Sequence, residues 1–168
     1  KEMSFGKKIA LLREGKEKTD DPVLETMRIM LPQYPKHEQE LNVIIKIDDK
    51  KVVLKGICDG VDYKKHIIGE DKTGKFWDQA KVDKWEQLTF YAYLYWKQFK
   101  KIPKLQLNWI ETEKPLPYTD SSLIVATGNF QTFETKRTIK DFISLQAKIN
   151  KVWRGILALC EKSWQEVL

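Results

Sequence analysis

The chain has 168 residues, of which 42% are hydrophobic and 32% are charged, and its net charge is +6. This length and this apolar content predict a single domain over residues 1–168, and the basic excess favours an anionic partner. The sequence has no apolar run of eighteen residues, no signal peptide and no Gly-x-x-x-x-Gly-Lys loop. These absences argue against a membrane protein and an NTP-driven motor, and they predict a cytoplasmic location.

Two helices are predicted at the start of the chain. The first covers residues 4–13, where Phe5, Ile9 and Leu12 form an apolar face. The second covers residues 22–31 and begins after Asp21, which is a good N-cap. Prolines at positions 32 and 35 then end the helical region before the strands.

The next segments predict three strands. Residues 41–47 alternate apolar and polar side chains, residues 52–61 read as a second strand, and residues 66–68 begin a third. The short polar connection at residues 62–65 predicts a hairpin between the second and third strands. In such a hairpin, Asp59 and Glu70 lie on neighbouring strands and their carboxylates can converge.

A lysine accompanies this carboxylate pair. Residues two apart on a strand share a face, so Glu70 and Lys72 are expected on one side of the sheet and Asp71 on the other. Hard Mg²⁺ prefers carboxylate and phosphate oxygens, and a lysine can hold an attacking water and developing charge. The set therefore indicates a magnesium-dependent phosphodiesterase. A surface salt bridge is the competing interpretation of Glu70 and Lys72 taken alone.

An amphipathic helix is predicted from about residue 81 to residue 99. Its apolar side chains recur at steps of three and four residues and form one stripe: Trp85, Leu88, Ala92, Tyr95 and Phe99. Gln87 and Tyr91 are four residues apart beside this stripe. Packed by its stripe on the sheet, the helix would offer an amide and a phenol where the carboxylates emerge.

The remaining elements complete an α/β fold. Residues 104–112 alternate as a strand, and residues 123–135 form another strand region that is interrupted at Gly128. A long helix follows over residues 142–159, after a capping-box arrangement of Thr138 and Asp141. The predicted fold class is a central mixed β-sheet flanked by helices.

The motifs around these residues resemble those of one nuclease family. Gly-Ile-Cys-Asp ends at Asp59, Glu-Asp-Lys-Thr-Gly begins at Glu70, and Gln-Leu-Thr-Phe-Tyr spans residues 87–91. In this order they resemble the PD-(D/E)xK nuclease superfamily, and within it the RecB-like exonucleases of phage and CRISPR-adaptation type. The match runs from about Glu38 to Glu111. It implies a restriction-endonuclease-like core and a DNA exonuclease of recombination, repair or phage DNA metabolism.

The resemblance also implies a role for each motif residue. Asp59 and Glu70 would bind Mg²⁺ or Mn²⁺, with the main-chain carbonyl of Asp71 as a further ligand. Lys72 would be the catalytic lysine. The side chains of residues 87 and 91 (Gln87 and Tyr91) would order that lysine or the substrate phosphate.

The sequence departs from the family at one metal ligand. Many RecB-like nucleases carry a histidine in an early helix, and Ile9 stands in the comparable stretch here. Glu38 is the first candidate for a replacement ligand, Glu25 is the second, and the absence of a third carboxylate is the remaining alternative. Two cysteines cannot hold the four-cysteine iron–sulfur cluster that some members carry.

Two alternatives stay open. The missing histidine favours a catalytically silent nuclease-fold module that binds DNA ends or a helicase partner, although Asp59, Glu70 and Lys72 are all present. An RNA-directed nuclease or a restriction-type endonuclease is a weaker reading, because the scissile phosphate is chemically alike in these classes.

A group of lysines and aromatic residues follows the catalytic motif. The segment from residue 72 to residue 85 carries lysines interleaved with aromatic rings: Lys72, Lys75, Phe76, Trp77, Lys81, Lys84 and Trp85. Cations track phosphates, while aromatic faces stack on unpaired bases. The other interpretation is that Trp77 simply packs the loop.

Overall fold

The computed structural model describes residues 5–114 and 124–165. Its helices are α1 (Phe5–Arg13), α2 (Pro22–Met30), α3 (Gln79–Lys84), α4 (Glu86–Phe99) and α5 (Ile139–Gln165). Its strands are β1 (Lys36–Ile47), β2 (Lys50–Asp62), β3 (Ile67–Gly74), β4 (Lys104–Glu113) and β5 (Val125–Thr135). The predicted starts of the first helix at residue 4 and of the last strand at residue 123 lie outside the described residues.

The strands form one sheet in the order β1-β2-β3-β4-β5. Strands β3 and β4 are parallel, and the other neighbours are antiparallel. Parallel neighbours need a long connection, and α3 and α4 provide it. The fold is therefore α/β with a central mixed sheet flanked by helices, which confirms the predicted class. Among the described residues, no helix combines the length and the apolar composition needed to cross a membrane.

Helices pack on both faces of the sheet. On one face, Leu107 of β4 lies in a cluster with Leu88 of α4 and Phe142 of α5. On the other, Ile110 of β4 packs with residues of α1 and α2, including Met27. Positions 107 and 110 point to opposite sides because side chains alternate along a strand. Burial of each such large side chain contributes about 1.5–3 kcal/mol.

The single helix predicted over residues 81–99 is two helices. Helix α3 ends at Lys84, and Trp85 has an extended backbone with φ −73° and ψ 116° before α4 begins. The buried Arg137 donates hydrogen bonds to the carbonyl oxygens of Val82 and Trp85, at 3.2 and 3.3 Å. The arginine thus occupies helical carbonyls at the break and stabilises it.

The prediction that this helix has a single apolar stripe was also wrong. All five residues at positions 91–95 of α4 are buried, because the sheet covers one side and α5 another, where Phe142 meets Tyr93. Phe99, expected in the stripe, is 38% exposed.

The C-terminal elements differ from the prediction within β5 and at both ends of α5, which spans Ile139–Gln165 instead of residues 142–159. Strand β5 runs through Gly128, which has φ +96°, and the ladder with β4 shifts register between Ile110 and Thr112. The expected interruption is therefore an irregularity within one strand. The capping arrangement of Thr138 and Asp141 is confirmed, since the Asp141 carboxylate accepts hydrogen bonds from the Thr138 amide and hydroxyl.

Two glycines make room for an aromatic ring. Gly60 of β2 and Gly69 of β3 are register partners, and Tyr34 packs over both. A Cβ atom added at Gly69 would lie 2.1 Å from Cζ of Tyr34, and one at Gly60 would lie 2.2 Å from Cδ2. The ring is held by its hydroxyl, which donates to Gln106 at 2.9 Å and accepts from Asn108 at 3.1 Å.

We therefore expect Gly69→Ala to lower the free energy of unfolding by roughly 1–3 kcal/mol, the usual cost of overpacking. Denaturant titration measures the change. Gly155→Ala is the control, because a Cβ atom at Gly155 in α5 would meet nothing within 4 Å, and alanine favours a helix by about 1 kcal/mol over glycine. Equal stability of Gly69→Ala and the wild type would contradict the packing of Tyr34.

Candidate active site

Strand β2 changes the side that it presents to α4 between Gly56 and Gly60. In a regular strand, residues four apart share a face. A Cβ atom at Gly56 would lie 3.0 Å from Tyr91 and from Leu94 of α4, whereas one at Gly60 would meet Tyr34. The hydroxyl of Tyr34 bonds Asn108, whose amide also donates to Asp71 on the face of α1. The alternation of β2 therefore breaks between the two glycines, where Asp59 lies.

The break brings Asp59 to Glu70. The two residues lie one position beyond the register pair of β2 and β3 that Gly60 and Gly69 form. The Oδ2 atom of Asp59 accepts a hydrogen bond from the main-chain N–H of Asp71 at 2.8 Å. The two carboxyl groups lie close enough for the negative charge of Asp59 to repel that of Glu70. The predicted convergence of the two carboxylates is thus present in the structure.

Burial shifts the acidity of both carboxyl groups. Burial raises the pKa of Glu70 to about 7, and repulsion from Asp59 adds to this shift while Lys72 opposes it. Burial also raises the pKa of Asp59, and the hydrogen bond from the Asp71 amide opposes that shift. Placing two carboxylates together in a buried setting is unfavourable unless a cation shares the space.

Lys72 and Gln87 both contact one oxygen of Glu70. The Nζ atom of Lys72 lies 2.7 Å from Oε1 of Glu70, and Nε2 of Gln87 donates to the same oxygen at 3.0 Å. The Gln87 amide also donates to the Tyr91 hydroxyl at 2.6 Å. The helix residues were expected to order the lysine or the phosphate, but in the structure Gln87 contacts the acid and Tyr91 supports Gln87.

A tryptophan ring also contacts the lysine. The Nζ atom of Lys72 lies 4.9 Å from the ring centroid of Trp85, the residue at the break between α3 and α4. An aromatic face attracts a cation at this distance. The ammonium group therefore contacts both a carboxylate and a ring, while 31% of the lysine side chain is exposed.

Asp71 points away from the carboxylate pair, as the alternation of β3 predicts. Its Oδ2 accepts from Nε of Arg13 at 2.5 Å, and its Oδ1 accepts from Nδ2 of Asn108 at 2.7 Å. Only main-chain atoms of Asp71 therefore face the site. The sequence did not reveal Arg13 in this role, although its spacing of four from Ile9 puts a charge on the apolar face of α1.

Neither residue predicted as a third acidic ligand joins the pair. Glu25 forms an ion pair of 2.5 Å with Arg28 on its own helix. Glu38 lies across from Asp59 in the β1–β2 ladder, but it has φ +47° and an exposed side chain. Within residues 5–114 and 124–165, no three His, Cys, Asp or Glu side chains form a group that could hold a metal ion.

The residues present nevertheless fit a magnesium ion. The second carboxylate oxygen of Glu70, Oε2, is buried and has no hydrogen-bond partner among the residues that the structure describes. A buried carboxylate oxygen without a partner costs free energy, which a cation would recover. Mg²⁺ is usually held by one or two carboxylates and completes its shell with waters and substrate phosphates. Asp59 and Glu70 meet that requirement without a third side chain.

Comparison with known proteins leaves the family open. No family model matches the chain, and no curated protein matches it. A solved structure described as the crystal structure of SSO0001 is similar, with 18% sequence identity and a TM-score of 0.41 over 74% of this chain. This chain spans 50% of that protein's length. What the site does is therefore inferred from its own residues.

The contact of Gln87 with Glu70 leads to a test of α4. If Glu70 binds a metal ion that cleaves DNA, Gln87→Ala is expected to lower that cleavage by about 10- to 100-fold, the usual effect of removing a side chain that orients a metal ligand. Its thermal stability should stay close to that of the wild type, because Gln87 is only half-buried. Initial rates on labelled DNA and thermal denaturation measure the two effects.

Leu88→Ala is the matched control on the neighbouring residue. Leu88 is fully buried, so its truncation should cost roughly 2–5 kcal/mol of stability, and the folded fraction should retain its rate. If Gln87→Ala were fully active and Leu88→Ala were as stable as the wild type, a different face of α4 would pack on the sheet.

Proposed function

We propose that the chain is a deoxyribonuclease dependent on Mg²⁺ or Mn²⁺, related to the RecB-like branch of the PD-(D/E)xK superfamily. The observation that carries the proposal is the convergence of Asp59, Glu70 and Lys72, in which one buried carboxylate oxygen of Glu70 has no hydrogen-bond partner among residues 5–114 and 124–165. The motif order and the mixed sheet support it. The most specific form of the proposal is an exonuclease of recombination, repair or phage DNA metabolism.

The chemistry is divided among the site residues. Asp59 and Glu70 would hold the metal ion, with the carbonyl of Asp71 as a further ligand. When bound, the ion would lower the pKa of a water and neutralise charge on the phosphate. Gln87 donates to Oε1 of Glu70, so Oε2 would be the oxygen that binds the ion. The family resemblance implies that cleavage gives products with a 5′-phosphate and a 3′-hydroxyl.

Lys72 acts on the substrate rather than on the metal. Its ammonium is held by Glu70 and Trp85, so it needs no reorganisation when negative charge develops on the phosphate. Preorganised charge of this kind is usually a large contribution to catalysis. We therefore assign Lys72 to electrostatic stabilisation and not to proton abstraction.

A catalytically silent nuclease-fold module is the second candidate. It is favoured by the gathering of only two carboxylates within the described residues, where many family members have a further ligand. Such a module would bind DNA ends or a helicase partner. A cytoplasmic location and a recombination or helicase partner remain predictions under both candidates.

The test uses end-labelled linear DNA and closed circular DNA with Mg²⁺, Mn²⁺ or EDTA. We expect the wild type to degrade linear DNA only when metal is present, and Asp59→Asn to be inactive yet folded. Full activity of Asp59→Asn, or activity in EDTA, would refute the proposed site. DNA binding without cleavage under every metal would support the silent module, and cleavage of closed circles would indicate an endonuclease.

A further inference from the structure

Three aromatic residues lie in the segment that follows Lys72, and one of them is exposed on the protein surface. Trp85 contacts Lys72, and its ring centroid lies 4.9 Å from that of Trp77, at an interplanar angle of 61°. Trp77 is half-buried, but its chain neighbour Phe76 is 63% exposed. An exposed ring therefore lies in the loop between β3 and α3, and it contacts Trp109, the register partner of Lys72.

The exposed ring of Phe76 packs against a buried tryptophan. It meets Trp109 at a centroid distance of 5.5 Å and an angle of 85°, which is an edge contact. Trp109 is 5% exposed, pairs in register with Lys72, and donates from Nε1 to the carbonyl oxygen of Gly74 at 3.0 Å. A single exposed apolar residue is ordinary. An exposed aromatic ring that is anchored on a buried one, beside a lysine of the proposed site, is a more specific arrangement.

Trp77 is a support and not a free surface. The Nζ atom of Lys81 lies over its ring, 3.9 Å from the centroid, so one face of the indole is already covered. This agrees with the interpretation that Trp77 packs the loop. Phe76 is left as the ring of this segment that can receive a ligand.

The charge around Phe76 suits a phosphate backbone. Residues 72–85 contain four lysines and two aspartates. Asp78 accepts a hydrogen bond from the main-chain N–H of Lys81 and caps α3, and Asp83 accepts from Gln79. Lys75, Lys81 and Lys84 are all exposed. The net charge of the segment is therefore positive where the ring is exposed.

We infer that Phe76, with the lysines around it, binds an unpaired segment of the DNA strand by stacking on a base. The inference rests on the proposed function, which puts the scissile phosphate at Lys72. In a duplex, base faces are covered by their neighbours, so an aromatic ring in solvent is matched by an unpaired base. The substrate class of the site is then single-stranded DNA or a frayed end, and an intact duplex is a poorer substrate.

The experiment measures binding in EDTA, so that cleavage does not interfere. Three fluorescent probes of equal length are compared: a single strand, a blunt hairpin duplex and an abasic strand. We expect the wild type to bind the single strand most tightly. Phe76→Ala should lower this affinity about 5- to 150-fold, the range for losing one base–aromatic stack, and should leave the affinity for the abasic strand unchanged.

Matched variants separate stacking from packing. Phe76→Trp should retain the affinity for the single strand, whereas Phe76→Leu, which keeps an apolar contact with Trp109, should lose it. Ile29→Ala is the control for exposure, because Ile29 is also 63% exposed but lies on α2, on the opposite face of the sheet. Its affinity should equal that of the wild type.

The outcomes separate this inference from the proposed function. An unchanged affinity of Phe76→Ala for the single strand, or an equal loss on the abasic strand, overturns the inference even where the wild type cleaves DNA. Binding that depends on Phe76 and on bases, with no cleavage under any metal, supports the stacking surface and refutes the nuclease.

Discussion

Replacing Glu70 by glutamine is expected to abolish metal-dependent cleavage and, at the same time, to make the metal-free protein more stable at neutral pH. The two effects have one cause, since burial and the Asp59 charge disfavour the ionised carboxylate and raise its pKa to about 7. The negative charge that would bind a cation is also the charge that destabilises the fold when no cation is bound. Glutamine keeps the shape of Glu70 and removes that charge.

The pH window follows from the two pKa values. In the unfolded chain Glu70 titrates at its ordinary value of 4.5, and in the folded chain at about 7. Between these values the unfolded chain has lost the proton and the folded chain retains it, so the free energy of unfolding falls as pH rises. At roughly 1.4 kcal/mol per pKa unit, the free energy of unfolding of Glu70→Gln should exceed that of the wild type by on the order of 3 kcal/mol at pH 8. Below pH 4 the two proteins should be equally stable.

Denaturant titrations from pH 4 to pH 8 in EDTA check this prediction. Glu25→Gln is the control, because Glu25 pairs with Arg28 on the protein surface and exposed pairs contribute little. A Glu70→Gln protein that is less stable than the wild type at pH 8 would show that the Glu70 carboxylate is well accommodated without a cation.

Lys72→Ala is expected to lower the rate of cleavage by at least about 100-fold at saturating DNA and metal, the scale for removing one preorganised stabilising group. Metal binding should persist, because Asp59 and Glu70 remain. It should shift to higher pH, since Lys72 opposes the rise in the pKa of Glu70. Single-turnover rates and Mn²⁺ titration calorimetry across pH measure the two effects.

Lys75→Ala is the matched control for Lys72→Ala. Lys75 is exposed in the adjoining loop, so its loss should weaken DNA binding while leaving the rate at saturation within a few-fold. If Lys72→Ala behaves in the same way, Lys72 is a phosphate anchor and contributes nothing to the chemical step.

Part of the site could be predicted from local periodicity. Glu70, Asp71 and Lys72 follow one another in the regular strand β3, so a period of two correctly puts the first and third on one face and Asp71 on the other. The hairpin of β2 and β3 could be predicted for the same reason. Both depend on neighbours along one strand or across one turn.

The position of Asp59 could not be obtained in this way. Strict alternation from Gly56, which faces α4, would put Asp59 on the far side of the sheet. The break in the alternation of β2 before Gly60 turns Asp59 to the side of α4 instead. Across from this break on β1 lies Glu38, a non-glycine residue with positive φ. The hairpin of β2 and β3 predicted that Asp59 and Glu70 converge, whereas the period of two in β2 alone would have separated them.

The break between α3 and α4 has a remote cause. The guanidinium that bonds the carbonyl of Trp85 belongs to Arg137, which is 52 residues away in the sequence. The local pattern of apolar residues favours one continuous helix, and nothing within that segment shows that a buried arginine will hold two of its carbonyls.

The pair formed by Arg13 and Asp71 connects the first helix to the proposed metal site. Arg13 also donates from Nη2 to the carbonyl oxygen of Pro32 at 2.6 Å, so its side chain joins α1 to β3 and to the segment after α2. The amide of Asp71 holds Asp59. If Asp59 binds a cation as proposed, docking of α1 and binding of that cation would be linked equilibria, in which each favours the other to the same extent. Partial unfolding at one end of the chain would weaken metal binding without any change in a ligand.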